Sequence, residues 1–162
     1  MTDTANVLVV GEGPVATALA PMVSAAGWTP LPATSMEEVE AGLGEADAVV
    51  VLSHHEGLDG PAIKAALAQG AAYVGAMGSR KTQERRREWL LANGVGEAEL
   101  ALLRAPIGLD IGADEPGEIA VSILAEVVAV RRGAAEAVGA VSARSGPIHP
   151  ALEPGTATCP GG

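Results

Sequence analysis

Residues 6–10 (NVLVV), 48–52 (AVVVL) and 71–74 (AAYV) are apolar at nearly every position, not at every second one. A strand that alternates can leave one face in water. A strand with no polar side needs cover on both faces. Weaker strand signals lie at 28–31 and 103–107. Between the runs lie Ala-rich stretches with helical spacing, at 14–26, 36–42, 61–69 and 81–93. Strand–helix–strand repetition at this spacing predicts a parallel sheet with right-handed crossovers. The expected architecture is a three-layer α/β domain with helices on both faces.

Helix ends are marked by Gly27, Gly70 and Gly94, where a left-handed C-terminal residue is needed. A last long helix is expected from 116 to 132. Pro116 suits its first turn, Glu118 its positive end, and Ile119, Ile123, Val127 and Val130 share one face. From Gly139 onward the composition turns to Gly, Pro, Ser and Thr. The reading is a domain over 1–138 followed by a Gly/Pro-rich tail over 139–162.

Composition narrows the function classes. The chain has 162 residues, about one domain's worth, and a net charge of -10. Only 2% of residues are aromatic. Both features argue against nucleic acid, which needs positive charge and stacking rings. Cys159 is the single cysteine, so neither a disulfide framework nor a Cys-based zinc site is expected. No apolar run reaches the roughly 18 residues of a membrane span. The opening MTDTANVLVV lacks a basic flank and a cleavage site, so a cytoplasmic location is the expectation.

After the first strand comes Gly11-Glu12-Gly13-Pro14-Val15-Ala16, a G-x-G-x-x-A loop between a strand and a helix. Gly11 permits the turn, Gly13 lets the backbone approach a ligand, and Ala16 lets the helix pack closely. The helix start then offers free N–H groups to a phosphate. This makes the fold Rossmann-like, with an expected strand order 3-2-1-4-5. The stretch after the second strand, Thr29-Pro-Leu-Pro-Ala-Thr-Ser35, has neither the acid nor the arginine that would bind a dinucleotide ribose; Glu37 and Glu38 come slightly late and are expected on the next helix. The two prolines of the stretch suggest an edge-like path.

Five of the ten basic residues fall between 80 and 87: Arg80, Lys81, Arg85, Arg86 and Arg87. They follow a strand ending in the turn Gly75-Ala76-Met77-Gly78-Ser79. Ser79 is a good N-cap. Arg80 and Lys81 then occupy the first helical turn, where the macrodipole disfavours cations by about 0.3–1 kcal/mol each. An anion at residues 78–81 would explain them, whereas 85–87 read as a solvated face. Ser53-His54-His55-Glu56 follows the third strand. Adjacent histidines point opposite ways, so they make poor joint metal ligands, and His54 reads as a crevice-lining hydrogen-bonder. Asp59 with Pro61 reads as the cap of the next helix. Pro106-Ile-Gly-Leu-Asp110-Ile-Gly-Ala113 is an apolar, glycine-punctuated loop with one acid.

Three of these segments carry a resemblance. Tyr73-Val-Gly-Ala-Met-Gly-Ser-Arg-Lys81, Arg104-Ala-Pro-Ile-Gly-Leu-Asp-Ile-Gly-Ala113 and Pro116-Gly-Glu-Ile-Ala-Val-Ser-Ile-Leu-Ala-Glu126 together resemble the C-terminal Rossmann domain of the XdhC/CoxI family. Those proteins are accessory factors for xanthine dehydrogenase and carbon monoxide dehydrogenase. The resemblance implies a maturation factor for a molybdenum hydroxylase. Such a factor binds molybdenum cofactor (molybdopterin) or a nucleotide, supports its sulfuration and hands it to the apo-enzyme without catalysing hydride transfer. The implied partners are that apo-enzyme and a sulfurtransferase. The family's usual N-terminal domain does not precede this segment, so a homodimer or a partner chain supplying that domain is expected. The family's GAGHVG and Thr-His-Asp are here Gly11-Glu-Gly-Pro-Val-Ala16 and Ser53-His-His55. The candidate cofactor-contacting residues are Gly11, Gly13, Pro14, Val15, His54, Gly75, Gly78, Ser79, Arg80, Lys81 and Asp110, with no catalytic residue and no metal ligand. An NAD(P)-dependent oxidoreductase and a ligand-free interaction or regulatory module are the alternatives.

Overall fold

The computed structural model describes residues 3–145. Five strands form one parallel sheet: β1 (Asn6–Val10), β2 (Thr29–Ala33), β3 (Ala48–Val51), β4 (Tyr73–Ala76) and β5 (Leu103–Arg104). The helices are α1 (Pro14–Ala25), α2 (Met36–Leu43), α3 (Glu56–Gln69), α4 (Arg80–Ala92), α5 (Glu97–Leu100) and α6 (Pro116–Arg131), followed by two 3-10 turns.

The strands are buried on both faces, as their composition requires. Leu8, Val10, Val49, Val51 and Val74 pack against α2, α3, α4 and α5. Val7, Val9, Ala48, Val50 and Tyr73 pack against α1 and α6. Ile123 and Val127 of α6 are buried in that second cluster, with Ile119 and Val130 at its margin. At the start of α6 the Glu118 carboxylate accepts the N–H groups of Asp114 and Glu115, which holds its pKa below the usual range.

The strand order is β2-β1-β3-β4-β5, not the expected 3-2-1-4-5. The reason is in β2. Thr29 N–H donates to Ala5 O at 2.8 Å, so the alternate positions Pro30 and Pro32 turn their missing donors away from β1. A strand in the middle of a sheet needs donors on both sides. β2 has them on one side only and is confined to the edge. β3, apolar throughout, takes the central place beside β1 instead.

Some boundaries also shift. β4 begins at Tyr73, two residues later than expected, because Gly70 closes α3 in the left-handed conformation and Ala71 N–H still bonds back to Ala66 O. β5 is shorter than expected, although Ile107 N–H returns to the sheet at Ala76 O (3.1 Å). α3 starts at Glu56, so Asp59 lies inside the helix and not at its cap. Residues 139–144, expected to leave the domain, are docked on it: Ala140 and Val141 are buried and Leu109 bridges Ala140. Cys159 lies outside the described residues.

Candidate functional site

The order 2-1-3-4-5 reverses direction between β1 and β3, so the loops after those two strands meet at the switch point. Gly11 has φ 110°, and a Cβ there would lie 2.5 Å from the Ser53 nitrogen. Only glycine lets the two loops approach this closely. Gly13 (φ 124°) caps α1 without a side-chain bond, and Pro14 fills the first helical position. Val15 is buried in the core. The cavity at this point, bounded by Gly11, Glu12, Thr34, Ser53, His54, His55 and Leu58, has a volume of about 170 Å³. That is below the usual ~300–1,000 Å³ of small-molecule sites.

A larger cavity, about 630 Å³, opens beyond the C-terminal ends of β4 and β5. Its apolar walls are Met77, Pro106, Ile107, Leu109, Ile119 and Val141. Its polar groups are His54, Ser79, Arg80, Lys81, Asp110 and Ser122. Ser79 caps α4 as expected, its hydroxyl accepting Thr82 N–H at 3.2 Å. Arg80 and Lys81 open the helix, where backbone N–H groups have no intrahelical partner and the macrodipole is positive. The cavity thus pairs an apolar body with one cationic, N–H-rich end. Such a shape suits a ligand with a flat apolar part and an anionic terminus. Arg80 also donates to the carbonyls of Val141 and Arg144, and Asp110 pairs with Arg144 at 2.9 Å.

Two buried ionic networks support this rim. Arg86 is not part of a solvated face: it is 7% exposed and pairs with Asp59 Oδ2 at 2.6 Å. It also donates to Met77 O (2.6 Å) and Ser53 O (3.1 Å), tying the loops after β3 and β4 to α4. Arg85 and Arg87 are exposed, as expected. On the opposite face Glu126, 1% exposed, accepts from Tyr73 Oη (2.6 Å) and Gly108 N–H (3.1 Å). Burial, and then the Glu126 carboxylate beside it, pushes the Tyr73 phenol well above its ordinary pKa. Arg104 stands 3.9 Å from the other Glu126 oxygen. Glu126 therefore anchors the start of the 108–113 loop that forms one wall of the cavity.

Six of the candidate residues line the larger cavity: His54, Gly78, Ser79, Arg80, Lys81 and Asp110. Gly11 lines the small one, and His54 is the residue common to both. Gly13, Pro14 and Val15 line neither. Gly75 sits within β4, where a Cβ would meet Ile107 and the Tyr73 hydroxyl at 2.7 Å, so it makes room for core packing. Ile119, Ser122 and Val141 were not foreseen as lining residues. Ile119 and Ser122, three apart at the start of α6, share a face. The sequence reading misses Arg86 as well; its one signal is a place four residues before Leu90, the other buried side chain of α4. Among the described residues no group of three His, Cys, Asp or Glu could hold a metal ion. No described helix is long and apolar enough to cross a membrane.

The model of the XdhC Rossmann domain family matches residues 7–127. The molybdenum cofactor insertion chaperone PaoD of Escherichia coli (strain K12) is 29% identical over 131 residues, 78% of this chain and 40% of that protein. A Bacillus subtilis (strain 168) protein, named as a probable xanthine dehydrogenase subunit, is 37% identical over 86 residues, 53% of this chain and 24% of the relative. A crystal structure of a xanthine dehydrogenase from Bacillus halodurans superposes with a TM-score of 0.58 at 21% identity. It covers 83% of this chain and 46% of the other, and the likeness is one of fold. The chain spans less than half the length of each of these relatives.

Proposed function

The chain belongs to the XdhC family through its Rossmann domain, and on that premise we propose that it is an accessory factor in the maturation of a molybdenum hydroxylase. In this reading it holds an anionic pterin cofactor, the molybdenum cofactor, for delivery to the apo-enzyme. The relative described as a molybdenum cofactor insertion chaperone supports this reading. The observation that carries it is the cavity of about 630 Å³, with its apolar walls and the cationic start of α4 at one end.

The residues present fit the organic part of such a cofactor. The N–H groups opening α4, with Ser79, Arg80 and Lys81, would hold the phosphate; Met77, Ile107 and Pro106 would cover the flat ring system. The cofactor supplies the molybdenum chemistry of the client enzyme once delivered. This chain contributes binding, orientation and shelter from water. A dinucleotide at the switch point has less support, because that cavity is small and the acids nearest the end of β2, Glu37 and Glu38, sit in the first turn of α2, where Glu38 already accepts the Thr34 N–H at 3.1 Å.

Titrating the full chain with molybdenum cofactor, in parallel for the native protein and Lys81→Glu, tests the proposal. One charge-assisted hydrogen bond contributes about 1.5–3 kcal/mol, so the substitution is expected to weaken binding roughly tenfold or more. An acid in the first turn suits the macrodipole, so the unliganded variant should melt no lower. Equal affinities in the two proteins would remove the cationic end from the site. Unchanged molybdenum hydroxylase activity in a host lacking this protein would overturn the maturation role.

A further inference from the structure

The charge that opens α4 is tied to a segment more than sixty residues away. Arg80 Nη2 donates to Val141 O at 3.2 Å and to Arg144 O at 2.6 Å. The same segment is stitched to the loop after β5. Asp110 N–H donates to Gly139 O (2.8 Å), Val141 N–H donates to Gly108 O (3.0 Å), and Leu109 forms an antiparallel bridge with Ala140. Arg144 closes the run with its ion pair to Asp110 at 2.9 Å. Residues 139–144 therefore lie along the 108–110 edge as an added peptide strand does in β-augmentation. Val141 is at once part of that segment and a wall of the larger cavity.

We propose that residues 139–144 are a displaceable strap, an internal peptide held on the 108–110 edge and latched by Arg80, and that a phosphate-type anion at residues 78–81 releases it. The inference rests on the anion-binding reading of the cavity. Two carbonyl oxygens are weaker partners for a guanidinium than a phosphate, which offers charged oxygens in a matching fork. Arg80 sits in the helical turn where the free N–H groups would receive such an anion. Drawing its guanidinium to the anion removes two bonds from a segment whose buried side chains are the small Ala140 and Val141. Segments with few buried contacts open first. The coupling is reciprocal: a closed strap lowers the apparent affinity for the anion by the fraction of molecules in which Arg80 is released.

Hydrogen exchange on the full-length protein, with and without inorganic pyrophosphate, reads the strap directly. Pyrophosphate should speed exchange of the 139–144 amides while slowing that of the first turn of α4. Arg80→Gln should speed exchange of 139–144 with no anion present. Arg144→Ala breaks a half-exposed ion pair and leaves Arg80 in place, so it should tighten pyrophosphate binding by about two- to fivefold. Pyrophosphate binding with unchanged or slower exchange at 139–144 would overturn the strap and leave the anion site standing. Unchanged exchange in Arg80→Gln would do the same. Absence of any pyrophosphate binding would overturn the anion site and the strap together.

Discussion

Tyr73 is the only tyrosine in the chain, so a spectrophotometric titration reports it alone. Its phenol is raised in the folded state by burial and by Glu126, while the unfolded chain ionises near pH 10. The neutral phenol therefore contributes stability that is fully present below pH ~10 and is lost as pH rises toward the folded pKa. Above pH ~10 this one group should lower stability by about 1.4 kcal/mol per pH unit. Denaturant melts should show that slope in the native protein and not in Tyr73→Phe. Tyrosinate absorbance that appears with an ordinary midpoint in the folded protein would contradict the burial. The two glycines of the first loop make a second residue-scale contrast. An alanine at Gly13 meets no neighbour within 4 Å and carries only the strain of a positive φ in a region that glycine alone occupies readily, about 1–3 kcal/mol. Gly11→Ala adds a clash with the Ser53 backbone and should be clearly more destabilising in thermal melts.

At the scale of elements, α4 is held by an ion pair where an apolar stripe would be expected. Its buried side chains are Arg86 and Leu90, and Arg86 reaches Asp59 of α3 with little exposure of either partner. Removing one charge strands the other. Arg86→Met should cost about 3–5 kcal/mol, whereas the double variant Arg86→Met with Asp59→Leu should recover most of that loss. Chemical denaturation of the four proteins closes the cycle, and full additivity would show that the two side chains do not act as a unit. The helix boundaries near this pair show why it escaped the sequence. Asp59 beside Pro61 has the composition of a helix start. Only the packing of α3 against α4, with Gly60 giving way to the Trp89 ring, turns that aspartate inward.

For the whole molecule, strand order decides which loops can share a ligand. With β3 between β1 and β4, the Gly11–Gly13 loop and the 78–81 turn belong to separate cavities that share His54. Gly13 itself lines neither cavity, so Gly13→Val should leave pyrophosphate affinity within about twofold of the native value, as for a residue outside the binding site. A large loss of affinity would place the ligand at the switch point instead.

The all-apolar strands, the Ala-rich helices and the glycine punctuation determined the layered parallel fold from the sequence alone, because two-sided burial and left-handed helix ends are local demands that composition must meet. Pro30 and Pro32 already carried the edge position of β2, and Ser79-Arg80-Lys81 already carried a cationic helix start. What the tertiary structure decided was pairing at a distance: Arg86 with Asp59, Glu126 with Tyr73 and Gly108, and Arg80 with the carbonyls of 139–144. A charged residue reads as solvated until the partner that removes it from water is known. That partner lies 27, 53 or more than 60 positions away, where neither helical nor strand periodicity can reach.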